Sequence, residues 1–153
     1  MNKIEIIKQN FQFLVDEFHF INTQDKHSPS NLYAVIEYQT EYTQVIIALD
    51  RGQVLINIGK SSWPKKEFFD FTYVVNYFNP SIEEVYIFPE ELKGEDSIEF
   101  QAKRLSEIMH DNCQQILSGD FSMADQIKEM ETKYVKGLLD HLNQLTKNYN
   151  KKK

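Results

Sequence analysis

The sequence has few of the residues and segments on which several classes of protein depend. Its single cysteine, Cys113, excludes an internal disulfide and leaves too few thiols for a structural zinc site. Its five glycines are scattered, so it has no phosphate-binding glycine loop and no G-x-S-x-G elbow. No apolar run approaches the roughly 20 residues that span a bilayer, and Glu5 and Lys8 interrupt the segment where a signal peptide would be apolar. The sequence therefore predicts a cytoplasmic protein that requires neither a membrane nor a cofactor.

The length and composition are typical of a folded domain. The 153 residues are 41% hydrophobic and 26% charged, which is enough apolar material to bury a core. The sequence has no internal repeat and no linker rich in proline, glycine or serine. We therefore expect one domain over residues 1–149, followed by a basic disordered tail over residues 150–153.

Acidic residues outnumber basic residues by six, and this excess lies in one stretch of the chain. We define residues 81–99 as the acidic segment, because their charges sum to −6. The segment contains one basic residue, Lys93, and seven acidic residues, which are Glu83, Glu84, Glu90, Glu91, Glu95, Asp96 and Glu99. Nucleic-acid backbones are bound by clustered Lys and Arg, so we expect no nucleic-acid partner. The segment favours a basic protein partner, or else it serves only as a soluble loop.

The middle of the chain has the pattern of an antiparallel sheet. Leu32–Gln39, Thr43–Leu49 and the stretch from Val54 are rich in β-branched and aromatic residues, and short turns separate them. Gly52 is expected to adopt a positive φ in one of these turns. Because parallel strands need long crossovers, connections this short predict an antiparallel meander. A further short strand is expected at His19–Thr23.

Helical periodicity dominates both ends of the sequence. Apolar residues three and four apart predict a helix over residues 3–18. A capping box at Asp96 and Glu99 predicts the start of another helix, which we expect to end near Gly119. A last helix is expected from Ser122 onward. Its apolar stripe consists of Met123, Ile127, Met130, Tyr134, Leu138, Leu142, Leu145 and Tyr149.

Residues 61–80 fit a strand or a helix equally well by periodicity. We expect a helix, because Ser62 precedes Trp63-Pro64 as a helix start does and Asn79-Pro80 is typical of a helix end. Val85–Phe88 is expected to form a short strand. The order α-β-β-β-β-α-(β)-α-α predicts the α+β class, with an antiparallel meander sheet covered on one face by helices and a C-terminal helical hairpin.

The sequence contains little that indicates catalysis. His110 and Cys113 are three residues apart on a predicted helix, but two such side chains do not make a metal or nucleophile site without further partners. Carboxylates occur in adjacent pairs, such as Glu90 and Glu91, whose side chains diverge rather than converge on one point. We therefore predict a protein that is not an enzyme.

Aromatic residues offer two further candidate contact sites. Trp63 lies among Lys60, Lys65 and Lys66, where it is either a core residue or an anchor for a partner. Residues 68–78 form the most aromatic stretch of the chain, and they serve either as core or as an interface. Tyr73 and Tyr77 are the residues in this stretch that we expect to anchor a partner.

Two longer stretches point to a known kind of protein. These are Tyr42-Thr43-Gln44-Val45-Ile46-Ile47-Ala48-Leu49-Asp50-Arg51 and Cys113-Gln114-Gln115-Ile116-Leu117-Ser118-Gly119-Asp120-Phe121. Together they resemble small bacterial immunity proteins, which are encoded beside polymorphic toxins. The resemblance implies a cytoplasmic, non-enzymatic protein that binds and blocks one cognate toxin. It covers under half of the chain and transfers no site residue.

Three hypotheses follow for the function. The first is a protein-binding module of the immunity type, in which Glu90, Glu91, Glu95 and Asp96 steer a basic toxin domain and Trp63, Tyr73 or Tyr77 anchors it. The second is a homo-oligomeric accessory domain, for example a homodimer, with residues 68–78 at the subunit interface. The third is a small-molecule-binding domain, or an enzyme whose residues are dispersed in the sequence, with a pocket between sheet and helices.

Overall fold

A computed structural model describes residues 2–30 and 32–151. These ranges contain five strands and six α-helices. The strands are Ile21–His27 (β1), Tyr33–Gln39 (β2), Thr43–Asp50 (β3), Gln53–Lys60 (β4) and Phe69–Asp70 (β5). The helices are Lys3–Asn10 (α1), Phe13–Asp16 (α2), Phe71–Phe78 (α3), Gly94–Asn112 (α4), Gln114–Leu117 (α5) and Ala124–Lys151 (α6), and a 3-10 turn occupies Lys65–Glu67. The predicted α+β class is confirmed.

The strands form one antiparallel sheet in the order β1-β2-β3-β4-β5, which confirms the meander. Arg51 and Gly52 connect β3 to β4, and both have positive φ, +49° and +86°. This is the conformation that a tight hairpin between right-twisted strands requires, and glycine adopts it without steric cost. The turn sets a register in which Leu49 pairs with Val54. Apolar residues of neighbouring strands therefore share one face of the sheet.

That face forms the core. Its nine central side chains are at most 4% exposed, and they are Ala34, Ile36, Tyr38, Val45, Ile47, Leu49, Val54, Ile56 and Ile58. Helices α3 and α4 contact β4, and α1 packs on α4. Ala102, Leu105 and Met109 are buried on α4 at the predicted helical spacing. Helices thus cover one face of the sheet, as predicted.

The chain between β4 and β5 crosses the opposite face of the sheet. The Phe68 ring lies directly over Gly59, where a Cβ atom would be 2.2 Å from Phe68 Cδ1. Lys65 forms a salt bridge with Glu37 of β2. Gln44 Nε2 donates a hydrogen bond to the other Glu37 oxygen at 3.5 Å. Contacts on this second face therefore hold the 61–68 segment against the sheet.

Strand β1 differs from its prediction. A strand was expected at His19–Thr23, but β1 begins at Ile21 and continues to His27. All its residues are at least partly exposed, so the strand has no apolar alternation that a sequence pattern could show. It is held by pairing with β2 and by a salt bridge of 2.8 Å between Lys8 and Asp25.

Four local predictions are wrong or need adjustment. The helix predicted over residues 3–18 is interrupted at Phe11 and divides into α1 and α2. Residues 61–80 contain the helix α3, but the short strand β5 precedes it. Val85–Phe88 forms no strand, because a side chain rather than backbone pairs with the sheet there. The capping box is also wrong, since α4 begins at Gly94, two residues before Asp96, with no side-chain cap.

Contacts within the chain define two compact units, residues 1–121 and 122–153. The second unit contains α6, in which the predicted stripe from Ile127 to Tyr149 is helical. Helix α6 continues to Lys151, so residues 150 and 151 are helical, whereas residues 152 and 153 lie outside the described ranges. One domain over residues 1–149 and a C-terminal helical hairpin stay predictions.

Candidate functional site

The acidic segment is attached to the edge of the sheet by two side chains that flank its carboxylates. Strand β5 pairs with β4 only at Asn57 and Ile58, which leaves the rest of this edge without a partner strand. The N–H of Ile56 instead donates to Tyr86, and the N–H of Val54 donates to Gln101. These two side chains replace the missing strand, and they fix the chain before and after Glu90–Asp96.

Tyr86 is the first of these anchors. Its hydroxyl accepts from Ile56 N at 3.0 Å, and its proton lies within reach of Ile56 O at 3.1 Å and Asp70 Oδ2 at 3.2 Å. Burial and the charge of Asp70 raise the pKa of Tyr86 far above that of a free tyrosine. The phenol therefore stays protonated at physiological pH, and it keeps both its donor and its acceptor role.

Gln101 is the second anchor. Its side chain is on the buried face of α4, and the residue is 2% exposed. Its Oε1 accepts from Val54 N at 2.8 Å, while Nε2 donates to Gly52 O at 2.8 Å and to Ser97 Oγ at 3.0 Å. Neither anchor was predicted from the sequence. A glutamine on the apolar face of a helix was the one signal that could have indicated Gln101.

The four predicted steering residues lie between these anchors. Glu90 and Glu91 are on the loop before α4, and Glu95 and Asp96 are in the first turn of that helix. The helix dipole favours carboxylates at this position. All four are exposed, and none forms an ion pair with another residue in ranges 2–30 and 32–151. Their charge is therefore available to a partner.

An exposed aromatic ring borders these carboxylates. Phe88 is 39% exposed, and its ring stacks on Tyr86 with centroids 6.2 Å apart and an interplanar angle of 7°. The anchored tyrosine thus holds an apolar surface beside Glu90. Phe88 was not predicted as a contact residue from the sequence, where it was expected in a short strand.

Trp63 has a packing role in the structure. Its ring meets the edges or faces of Phe69 and Phe121 at centroid distances of 5.5 and 5.4 Å. The side chain is half-buried, and the lysines at 65 and 66 are exposed. These contacts favour the core interpretation of Trp63 over the anchor interpretation.

Tyr73 and Tyr77 lie one turn apart on α3. Tyr77 is 36% exposed and packs edge-on against Phe78 at 5.1 Å, and Tyr73 is half-buried. Phe68, Phe69 and Phe71 are all buried. The three phenylalanines are therefore core, and Tyr73, Tyr77 and Phe78 are the partly exposed aromatic members of the stretch 68–78.

Cys113 and His110 do not form a nucleophile pair. Burial raises the pKa of Cys113 to about 12, so its thiol is protonated at neutral pH. His110 instead contacts Glu17 through Nε2 at 2.8 Å and packs edge-on against Phe13. Among the described residues, no three His, Cys, Asp or Glu side chains are grouped as metal ligands.

A groove near the turn between β2 and β3 is one place where a small molecule could fit. It has a volume of about 510 Å³, and its walls include Phe18, His19, Ile21, Tyr42 and Leu117. His19 has a positive φ of +60°, which is uncommon outside glycine. The exposed surface of its walls is mainly apolar, and His19, Glu41 and Tyr42 are the titratable residues that line it.

Charge separates the two units of the chain. Residues 1–121 contain 10 basic and 19 acidic residues, a net charge of −9, whereas residues 122–153 contain 7 basic and 4 acidic residues, a net charge of +3. None of the described helices has the length and apolar character needed to cross a bilayer. Comparison of the chain with models of protein families, with curated proteins and with solved structures finds no match.

Proposed function

We propose that this chain is a non-enzymatic protein-binding module of the immunity type, which blocks a basic toxin domain by steric occlusion. The observation that carries the proposal is the anchored group of four exposed, unpaired carboxylates on a unit with a net charge of −9. The resemblance of residues 42–51 and 113–121 to immunity proteins supports the toxin as the partner.

The placement of these charges suits a role in association. A concentrated field of one sign raises the rate at which an oppositely charged partner is captured by about 10- to 1,000-fold at low salt. Screening limits this effect to about 10 Å at 0.1 M salt. Only carboxylates near the contact surface therefore contribute, and the acidic segment supplies four of them within seven residues.

Phe88 is the apolar contact that we assign to the same surface. Charged residues at the edge of an interface affect mainly the association rate, whereas buried aromatic residues supply most of the affinity. Phe88 is exposed beside Glu90 and is held by stacking on Tyr86. Tyr77 and Tyr73 are alternative anchors on α3, and the third residue predicted from the sequence, Trp63, packs against Phe69 and Phe121.

The test compares two charge reversals after the partner has been captured from a native lysate and identified by mass spectrometry. The first variant replaces Glu90, Glu91, Glu95 and Asp96 with lysine. The matched control replaces four exposed acidic residues elsewhere, which are Glu5, Glu41, Glu67 and Glu107. Both variants change the net charge by the same amount, so only the position of the change differs.

We expect the first variant to associate with the partner at least about 10-fold more slowly, and its association rate should lose most of its dependence on salt concentration. The association rate of the control should change much less. Equal effects in both variants would show that net charge alone matters. Unchanged rates in the first variant would remove the acidic segment from the mechanism.

A separate assay tests the immunity role. Cells that express the captured partner should survive only when this chain is produced with it, and the charge-reversed variant should protect them less. A stable complex without protection would retain the binding module and contradict the immunity role.

A further inference from the structure

Helix α6 exposes a long apolar stripe. Every residue from Thr132 to Lys151 is exposed. Seven of these residues are large and apolar, each 45–63% exposed, and they are Tyr134, Val135, Leu138, Leu139, Leu142, Leu145 and Tyr149. The stripe lies on a 28-residue helix, so it extends over several turns rather than forming a local cluster.

The area of this stripe is what a stable dimer needs. The exposed fractions of the seven residues correspond to about 800 Å², which exceeds the few hundred Å² that a monomer typically exposes in one patch. About 800 Å² per partner is also the share that each protein buries in a standard interface. We propose that α6 is a dimerisation helix, which pairs antiparallel with α6 of a second copy of this chain. The proposal is independent of the proposed toxin-binding function.

The spacing along the stripe is that of a two-stranded coiled coil. Val135, Leu142 and Tyr149 are seven residues apart, and Leu138 and Leu145 lie between them at the second seam position of the heptad. Five consecutive seam positions are therefore apolar. Such a seam packs best against another helix with the same spacing, which a second copy provides.

The charged residues of this region all lie away from the seam. Between residues 132 and 151 they occupy only outer heptad positions, and they are Lys133, Lys136, Asp140, Lys147 and Lys151. The positions that flank the seam hold residues without a permanent charge, namely Thr132, Tyr134, Leu139, His141, Thr146 and Asn148. A pair of identical helices would therefore meet without like-charge repulsion at its flanks.

The pattern favours the antiparallel orientation. Four of the five seam positions are symmetric about residue 140, so Val135 would face Leu145 of the second copy and Leu138 would face Leu142 of the second copy, while Tyr149 would lie opposite Glu131. Such reciprocal pairing is what a two-fold interface requires. It also brings Lys151 towards Glu129 of the second copy, whereas a parallel pair in register would place Lys151 beside the same lysine.

An anionic membrane fits this helix less well than a second copy does. Membrane-surface helices are rich in Lys or Arg on their polar face, and this helix carries Lys133, Lys136, Lys147 and Lys151 there beside Asp140, Asn143 and Gln144, so the distinction rests on the rest of the chain. The same chain also carries a unit with a net charge of −9, which an anionic surface would repel.

The test measures the mass of the full chain in solution by sedimentation equilibrium at about 100 μM, where micromolar pairing is readily detected. A variant replaces Leu138, Leu142 and Leu145 with glutamine, whose helix propensity is close to that of leucine. The matched control replaces Ile21, Leu32 and Phe100 with glutamine, which are exposed apolar residues outside α6. Circular dichroism verifies that all three proteins are folded.

We expect dimers for the natural chain and the control, and at least about 100-fold weaker pairing in the α6 variant. A monomeric natural chain, or a dimer that the α6 variant retains, would overturn the proposal. Binding of a monomeric chain to vesicles of anionic phospholipid, lost in the α6 variant, would also overturn it and assign the stripe to a membrane.

Disulfide formation tests the orientation. Val135→Cys and Leu145→Cys proteins are mixed and oxidised, since the buried Cys113 thiol has a pKa raised to about 12 and does not compete. We expect the crosslink to join one variant to the other. Crosslinks that join each variant only to itself would overturn the antiparallel arrangement.

Discussion

Replacing Gln101 with leucine tests whether its amide groups close the edge of β4. The two side chains have similar volume, so the change removes the hydrogen bonds without leaving a large cavity. The buried N–H of Val54 would lose its acceptor at 2.8 Å, and the half-exposed Gly52 O would lose its donor. A buried unsatisfied N–H costs about 1–3 kcal/mol, and the carbonyl costs less because water reaches it. Added apolar burial offsets part of this, so we expect a net loss of about 2 kcal/mol in urea unfolding.

Replacing Gln101 with glutamate tests the same geometry through pH. An ionised carboxylate still accepts from Val54 N–H but lies against Gly52 O, to which it cannot donate. Burial and this carbonyl oxygen raise the pKa of the new carboxyl in the folded state above the unfolded value of about 4.3. Relative to the natural chain, the variant is therefore most stable below about pH 4.3, and it loses stability as the pH rises through the raised value.

The assay is the difference in unfolding free energy between the variant and the natural chain from pH 4 to pH 8. Gln114→Glu is the matched control, because Gln114 is exposed and donates to His110 O at 3.1 Å. The difference in unfolding free energy between Gln114→Glu and the natural chain should stay nearly constant with pH. The role of Gln101 at this edge would be refuted if the difference in unfolding free energy for Gln101→Glu did not change with pH, or if Gln101→Leu were as stable as the natural chain.

Two further predictions concern buried positions. Burial raises the pKa of Cys113 from an ordinary value of 9.0 to about 12. We therefore expect alkylation at pH 8, followed by mass spectrometry, to be at least about 1,000-fold slower in the folded than in the unfolded chain; comparable rates would contradict this. Gly59→Ala should destabilise the chain by about 1–3 kcal/mol, since the new Cβ would overlap the Phe68 ring. The same change should destabilise the Phe68→Ala variant by much less. Additive effects in thermal unfolding would show that the two residues do not conflict.

The central strands could be predicted because their residues carry the signal themselves. In β3 and β4, apolar residues are dense, and a short turn at Arg51 and Gly52 separates them, so periodicity and turn chemistry agree. Strand β1 has no such signal. It is exposed and polar, and it becomes a strand because β2 offers it an edge with which to pair.

The site was predicted in part for the same reason. Exposure of Glu90 and Glu91 follows from their charge, which is a local property. Their attachment to the sheet does not, because Tyr86 and Gln101 contact residues 30 and 47 positions away. Side chains bond the edge of β4 only because β5 ends after two residues. The sequence pattern does not indicate where β5 ends, so these bonds could not be predicted.

The same two side chains, Tyr86 and Gln101, bond the open edge of β4 and hold the acidic segment in place. An open edge beside buried strands invites pairing with other chains, and Tyr86 and Gln101 prevent this by bonding Ile56 and Val54. The same bonds restrict the motion of the carboxylates between them. A loop that serves only solubility gains nothing from such restriction, whereas a binding surface loses less conformational entropy when its partner arrives. The anchors therefore favour recognition over solubility as the role of the acidic segment.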